Sequence, residues 1–452
     1  MSFFKRFCYC CYRTEEIEIN EESRILPKNK ADNSGIQKFE SPYTIFTYGI
    51  TPPNLHLFKL PLDWCRVGIL KISCGAEHLL MLSQEYQLFS AGNNIYGQCA
   101  RDPEKTTTYK EDNRSSQETE SSKYIRLKPL VLRNSKVIDI ATGSYHSLVL
   151  VKDLEDRVPG TIYTVMAFGH ETGCGFSDKK HNHVPTEIFS RTKFKENPKN
   201  VYAGQMRSAI LLESGKVLMV GEWFNGSKQR ELKEIPLHLE ENDQLKKIAI
   251  GKMHAIFLTK NGKTYSIGDN TYGEIGFSRD TYNKQLPALI PFFRDINAID
   301  IAAGARHSLV LEETGKLFAF GDNSEEQCGL DTNRAYEPME VETKGILGKK
   351  SVVTRFIFCG DAHSAVVTSE GDLFAWGDNT AGRLGIKGGL SIYRPRLVDD
   401  LIGRNICDVA LGGFFSIFLV GPKTGSILSK EENILKTRIF GTLISHNNLN
   451  QV

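Results

Sequence analysis

Short apolar runs, each closed by a glycine or a polar pair, follow one another along most of this chain. Residues 298–323 show the unit: AIDIAAG, then ARHSLVLEE, then TGKLFAFGDN. Runs of this length, bounded by turn residues and rich in β-branched and aromatic side chains, predict strands. The unit reads as a meander. One strand climbs, a G-x-x-H corner reverses it, a second strand descends, a T-G-K hairpin turns it, and a third climbs to a polar G-D-N segment. A fourth strand is expected next, its start marked by proline in PMEVE, PRLVDDL, PALIPFF and PLVLRN, which suits an outer edge where a missing N–H does little harm.

The unit recurs seven times. Its corner glycines are Gly75, Gly143, Gly204, Gly251, Gly304, Gly360 and Gly412, and in five copies another glycine follows 17 positions later, at Gly92, Gly221, Gly268, Gly321 and Gly377. Gly215, Gly262, Gly315 and Gly371 stand 11 positions after the corner, where a tight hairpin calls for positive φ; Tyr86 holds that place in the first copy. Small sheets that are apolar on both faces can cover one another only by stacking around an axis. The expected fold is therefore all-β: a seven-bladed β-propeller of four-stranded antiparallel blades, closed by joining N- and C-terminal strands.

Two segments compete to complete the last blade, TIFTYG at 44–49 and RIFG at 438–441. The amino-terminal one is favoured, together with NLHLFKLPL, because joining the two ends stabilises a ring against opening. The chain then divides into an amino-terminal tail (1–43), a propeller (44–420) carrying a polar insertion (101–124), and a carboxy-terminal tail (421–452).

The G-x-x-H-S corners, the L-F-A-F-G-D-N strand end and the runs GRLG at Gly382, GEIG at Gly273 and GQCA at Gly97 resemble the regulator of chromosome condensation family, over roughly residues 45–420. The resemblance implies a seven-bladed propeller and two roles. The founding member of that family exchanges guanine nucleotide on the Ran GTPase through acidic and histidine residues of one rim, and binds chromatin through a basic terminal tail. This sequence departs from the pattern. Before the repeat histidine only Glu77 is acidic, against Tyr145, Met206, Met253, Arg306 and Ala362, with Phe414 in the last copy, and no basic tail matches. Trp64, Trp223 and Trp376 are isolated, unlike the tryptophan cluster of the family's plant ultraviolet photoreceptor.

Histidine fills one slot five times, as His78, His146, His254, His307 and His363, with Arg207 and Phe415 in the other two copies. A catalyst is not needed five times, and copies in separate blades lie too far apart to share one ion. The imidazole is expected at a blade corner, hydrogen-bonded to neighbouring backbone. Cys99 and Cys328 stand where Ile275 and Leu384 stand in sister copies, and read as small core side chains; Cys74 and Cys359 precede corner glycines. Ten cysteines without paired spacing or a secretory signal point to a reducing compartment without disulfides.

Charge adds little direction: 56 Lys and Arg against 54 Asp and Glu leave a net +2, so nucleic acid is not an expected partner. No apolar run reaches the roughly 18 residues of a membrane span. The amino terminus, MSFFKRFCYCCYR, sets Cys8, Cys10 and Cys11 among aromatics and cations. Two readings stand: S-acylation, giving peripheral membrane attachment, or a plain disordered tail. Insertion 101–124 reads as a polar, mobile loop, either a phosphorylation target or merely solvated. Residues 170–200 read as a second insertion, whose His181 and His183 carry little information about metal.

Function must then come from a surface. Corners and G-D-N segments emerge on the same rim of the disc, which would carry Glu77, Tyr145, Arg207, Asp269, Arg306, Asp322, Asp361 and Asp378. The Asp-Asn pairs also have a local reading, as caps of their own turns. No catalytic residue, metal or cofactor is expected. The chain reads as a non-enzymatic protein-interaction module, with a guanine-nucleotide exchange factor for a Ras-like small GTPase as the alternative. A cytoplasmic location, at a membrane surface if the amino terminus is acylated, is expected, with the nucleus as the alternative.

Overall fold

The computed structural model describes residues 44–49, 69–103, 124–130, 132, 135–154, 163–176, 181–190, 194–343 and 353–421. They form seven antiparallel sheets in a ring, six of four strands and a seventh of three among the described residues. Blades 1 to 6 run over residues 69–130, 135–190, 198–234, 245–289, 298–340 and 354–397, and blade 7 joins 405–421 to 44–49. First strands of neighbouring blades pack against one another around the axis, blade 7 against blade 1 included.

Blade 5 shows how burial follows the sequence. Its strands are Ala298–Ala303, His307–Glu312, Leu317–Asp322 and Arg334–Glu340. The two middle strands are buried along almost their whole length, while the fourth is largely exposed. Middle strands face a neighbouring blade on both sides, and so read as unbroken apolar runs instead of alternating ones. Leu309, Val310, Leu311, Phe320 and, from blade 6, Trp376 are wholly excluded from solvent within one apolar cluster that passes through blades 4, 5 and 6. Each such side chain contributes about 1.5–3 kcal/mol relative to exposure.

Ring closure follows the favoured amino-terminal reading. Strand Thr44–Gly49 pairs with Phe415–Gly421 so that Gly49 faces Phe415, the same register in which Gly92 faces His78 and Gly321 faces His307. The segment NLHLFKLPL, expected to help complete the last blade, and the competing RIFG lie outside the described residues, as do residues 1–43, 104–123 and 422–452. The hairpins have the expected backbone: φ is 86° at Gly315 and 63° at Tyr86, which bears the cost of a side chain in the left-handed region.

Two expectations need correction. The fourth-strand prolines do not mark strand starts: Pro287, Pro338 and Pro395 are fifth in their seven-residue strands, and Pro129 is sixth. The first three adjoin a register shift on the outermost strand, where no partner needs their N–H. Residues 170–200 are also not an insertion. They hold a one-turn helix, Glu171–Cys174, and the fourth strand of blade 2, His181–Ser190.

Candidate interaction rim

The corner histidines do not bond to backbone alone, as the sequence suggested; each reaches a serine in the next blade. Nε2 lies 2.9–3.0 Å from Oγ in the pairs His78–Ser147, His146–Ser208, His254–Ser308, His307–Ser364 and His363–Ser416. The serine hydroxyl turns back to the first blade. Ser147 donates to Gln98 O at 2.8 Å, Ser208 to Gly173 O at 2.6 Å, Ser308 to Glu274 O at 2.8 Å and Ser364 to Gln327 O at 2.7 Å. A hydroxyl has one proton, so in these four relays it must accept from the imidazole, which fixes the Nε2–H tautomer. Burial drives the imidazole pKa down to about 3 for His78, His254 and His307, and to about 4 for His146. These groups are neutral structural donors, committed to the seams between blades.

Arg207 is corrected in the same way. It occupies the histidine slot of blade 3, is 1% exposed and therefore does not belong to the rim surface. Its guanidinium donates to the carbonyl oxygens of Lys252 and Trp223 and lies 4.7 Å from the Phe224 ring. The third position after a corner glycine points into the seam whatever residue fills it, and Arg207 uses that direction to reach blade 4. Backbone bonds tie the other corners: Ala76 N to Ser144 O (3.3 Å), Ser144 N to Gln205 O (2.8 Å), Lys252 N to Ala305 O (3.0 Å), Ala305 N to Asp361 O (3.0 Å), Asp361 N to Gly412 O (3.4 Å) and Gly413 N to Ala76 O (3.2 Å).

A second belt lies deeper and was not read from the sequence. Four residues before each corner glycine, beside a register shift shared by all blades, stand Lys71, Asp139, Asn200, Lys247, Asp300, Phe356 and Asp408. Asp139 accepts from Lys71 Nζ (2.6 Å), Ile140 N (2.9 Å), Val201 N (3.1 Å) and Asn200 Nδ2 (3.3 Å), so it connects blades 1, 2 and 3. Asp300 pairs with Lys247 at 2.5 Å, and Asp408 accepts from Ile72 N of blade 1 at 2.9 Å. Burial pushes the Asp408 carboxyl up to about 6 against these bonds.

The remaining expected residues divide by chemistry. Asp269, Asp322 and Asp378 accept from the N–H two residues on, in Thr271 (3.1 Å), Ser324 (3.2 Å) and Thr380 (2.7 Å), and Asp378 also pairs with buried Arg383 at 3.0 Å. Arg306 lies 4.5 Å over the Tyr272 ring. Glu77, Tyr145 and Asp361 come together. Asn93 Nδ2 holds the Glu77 carboxylate at 2.7 Å, and Gln205 Nε2 reaches Asp361 at 3.3 Å. Burial raises the Tyr145 phenol pKa, and neighbouring Glu77, Tyr96 and Asp361 add to it. Burial also raises the Asp361 pKa, opposed by Arg383 and Lys252. Of these groups Gln205 and Asp361 line an axial cavity of about 110 Å³, together with all seven corner glycines.

Among the described residues, no group of three or more His, Cys, Asp or Glu is placed to hold a metal, and no helix is long and apolar enough to cross a membrane. The six described cysteines are free thiols, and Cys99 and Cys328 are as buried as Ile275 and Leu384.

A family model described as the regulator of chromosome condensation (RCC1) repeat matches residues 261–311, 314–367 and 370–419. Among curated proteins the chain is similar to the mouse probable E3 ubiquitin-protein ligase HERC4, 29% identical over 316 residues that cover 66% of this chain and 27% of the relative. The match thus spans about a quarter of that relative's length. Among solved structures it is similar to yeast RCC1 (Prp20) bound to Kap60, at TM-score 0.69 and 21% identity, covering 88% of this chain and 92% of the other. A second structure, of Prp20p from Saccharomyces cerevisiae, studied for its binding to Gsp1p and histones, gives TM-score 0.67 and 21% identity over 88% and 94% of the two chains. At such identities the structural likeness concerns the fold.

Proposed function

We propose, on the premise that residues 261–419 are regulator of chromosome condensation repeats within a seven-bladed propeller, that this chain is a non-enzymatic interaction module presenting its corner rim to a protein partner. One observation supports the reading. The repeated polar groups are occupied in holding blades together, whereas the position just before them holds six different residue types in seven blades: Glu77, Tyr145, Met206, Met253, Arg306, Ala362 and Phe414. A frame repeated seven times that displays varied side chains at matched points is suited to recognition.

A second reading, exchange on a Ras-like GTPase, draws on the acidic residues Glu77 and Asp361, both of which act on Tyr145, and on the likeness to Prp20p, which was studied with Gsp1p. An exchange factor works by binding the nucleotide-free state more tightly than the loaded one. Proximity labelling with the intact chain, compared with Glu77→Lys and Tyr145→Ala variants, tests the rim: the labelled set should shrink, and an unchanged set refutes it. GDP release measured across a panel of small GTPases decides the second reading, since an exchange factor accelerates release and its Glu77→Lys, Asp361→Lys variant does not.

A further inference from the structure

We infer that the contact surface is one arc of this rim, running from blade 7 through blades 1 and 2 to blades 3 and 4, and that it takes a protein segment with an apolar or aromatic anchor flanked by lysine or arginine. The inference rests on the rim reading above and gives it a place and a chemistry. Phe414, Ile95 and Tyr145 are 46%, 38% and 36% exposed and belong to three consecutive blades, 7, 1 and 2. Tyr96 lies between them, its ring 5.4 Å from Tyr145 and 4.9 Å from His170. Half-buried Met206, Trp223 and Met253 continue the arc through blades 3 and 4. In blades 5 and 6 the corresponding corners and loops offer Arg306, Ala362, Ser324, Glu325 and Thr380, so the apolar character stops there.

Tyr, Trp, Phe and Met are the side chains that interface centres favour, the rings because they bury much area at little entropic cost and methionine because it adapts its shape. The charges beside the arc are mostly of one sign. Blades 1 to 4 each contribute a carboxylate, Glu77, Glu171, Glu222 and Asp269, against exposed Lys252 and exposed Lys228, the strand partner of Glu222. Asp361 adds its field to that of Glu77 at Tyr145. The cations Arg207 and Arg383 are buried and bonded to carbonyl oxygens, and Arg383 offsets Asp378, its ion-pair partner, and part of Asp361, leaving the carboxylates of blades 1 to 4 as the charges at the surface of the arc. The outlying Arg101 and Arg279 each precede an aspartate, Asp102 and Asp280. An apolar strip bordered by carboxylates complements a segment whose anchor is bordered by cations, and such attraction weakens with salt.

The test is selection of short random peptides displayed on phage against the full chain, followed by affinity measurement on the enriched peptides. Enriched peptides should carry a Leu, Trp or Phe anchor between Lys or Arg. They should bind about tenfold more weakly to Tyr145→Ala or Phe414→Ala, and several-fold more weakly at about 300 mM than at about 50 mM salt. Both positions are exposed, and an unchanged melting temperature verifies the fold of each variant. Acidic or uncharged consensus peptides, binding that survives both substitutions, or no enrichment over the doubly substituted chain overturns the inference. Loss on Arg306→Ala or Glu325→Lys instead would move the site to blades 5 and 6, ending the arc while the rim stands. Loss only on Lys316→Glu, at the opposite hairpins, would end both.

Discussion

A β-carbon placed on Gly304 would lie 2.1 Å from Cε1 of His307. The same closeness, 2.1–2.3 Å, holds for Gly75 with His78, Gly143 with His146, Gly251 with His254 and Gly360 with His363. The G-x-x-H signature is thus one steric object: the glycine is bare so that the imidazole can fold over it towards the next blade. Gly304→Ala, which overpacks the seam, should destabilise the protein by about 1–3 kcal/mol, and His307→Ala, which leaves a cavity and removes the bond that the Ser364 hydroxyl accepts, by about 2–3 kcal/mol. The double variant should cost clearly less than the two together, because removing the imidazole also removes the clash that the added methyl makes with it. Urea unfolding monitored by tryptophan fluorescence measures all three, and strict additivity would dissolve the link.

Acid should loosen the disc. A histidine whose folded pKa is about 3, against about 6.5 when unfolded, binds fewer protons folded than unfolded between those limits. Its contribution is fully present above the unfolded value and is lost as pH falls towards the folded one, at up to about 1.4 kcal/mol per pH unit for each histidine. Asp408 and Glu274, raised by burial to about 6 and about 7, act in the opposite sense, favouring the folded state as pH falls from those values towards about 4. Burial raises Asp361 and Glu326 in the same sense, and five histidines outweigh these four carboxyls, so net stability should decline from pH 6 to about 4.5. His307→Gln should flatten that decline by about one proton's worth. Unfolding free energies across that range provide the check, and an equal slope in the variant would contradict the assignment.

Within the deep belt the partners are unequal. Asp139 is buried and satisfies two backbone N–H groups, whereas the Lys71 side chain is 42% exposed. Asp139→Ala should cost about 2–4 kcal/mol through stranded donors, while Lys71→Met should cost under about 1 kcal/mol. Thermal melts of the two variants discriminate, and the reverse order would mean that the ion pair, not the backbone bridging, holds this seam.

The amino-terminal cysteines offer a separate prediction. If Cys8, Cys10 and Cys11 are acylated, their replacement by serine should abolish hydroxylamine-sensitive labelling by a palmitate analogue and move the protein from membrane to soluble fractions. An unchanged distribution removes the tether.

The frame of this molecule was legible because its glycines do steric work at fixed intervals, so spacing alone located corners, hairpins and third strands. The rest was lost where one spacing carries several chemistries. Four places before each corner the chain reads Lys71, Asp139, Asn200, Lys247, Asp300, Phe356 and Asp408, a constant interval without a constant letter. The fourth strand of blade 2 had its own signal, since Pro185 is fifth in His181–Ser190 as Pro287 is in its strand, but a helical turn and a longer approach obscured it. Arg207 was legible in principle: sharing the histidine slot, it had to share the inward direction. What the corner rim meets is not written in the repeat, because that chemistry lies at the positions the repeat leaves unconstrained.

The pairing of residues 44–49 with 415–421 also imposes an order in time. During synthesis the first of these strands leaves the ribosome long before its mate exists, and a strand edge waiting in that state can pair with another chain. A message cut short before residue 405 would yield six blades and one spare strand. Chains that carry both strands can instead form an exchanged dimer, in which each copy lends its leading strand to the other.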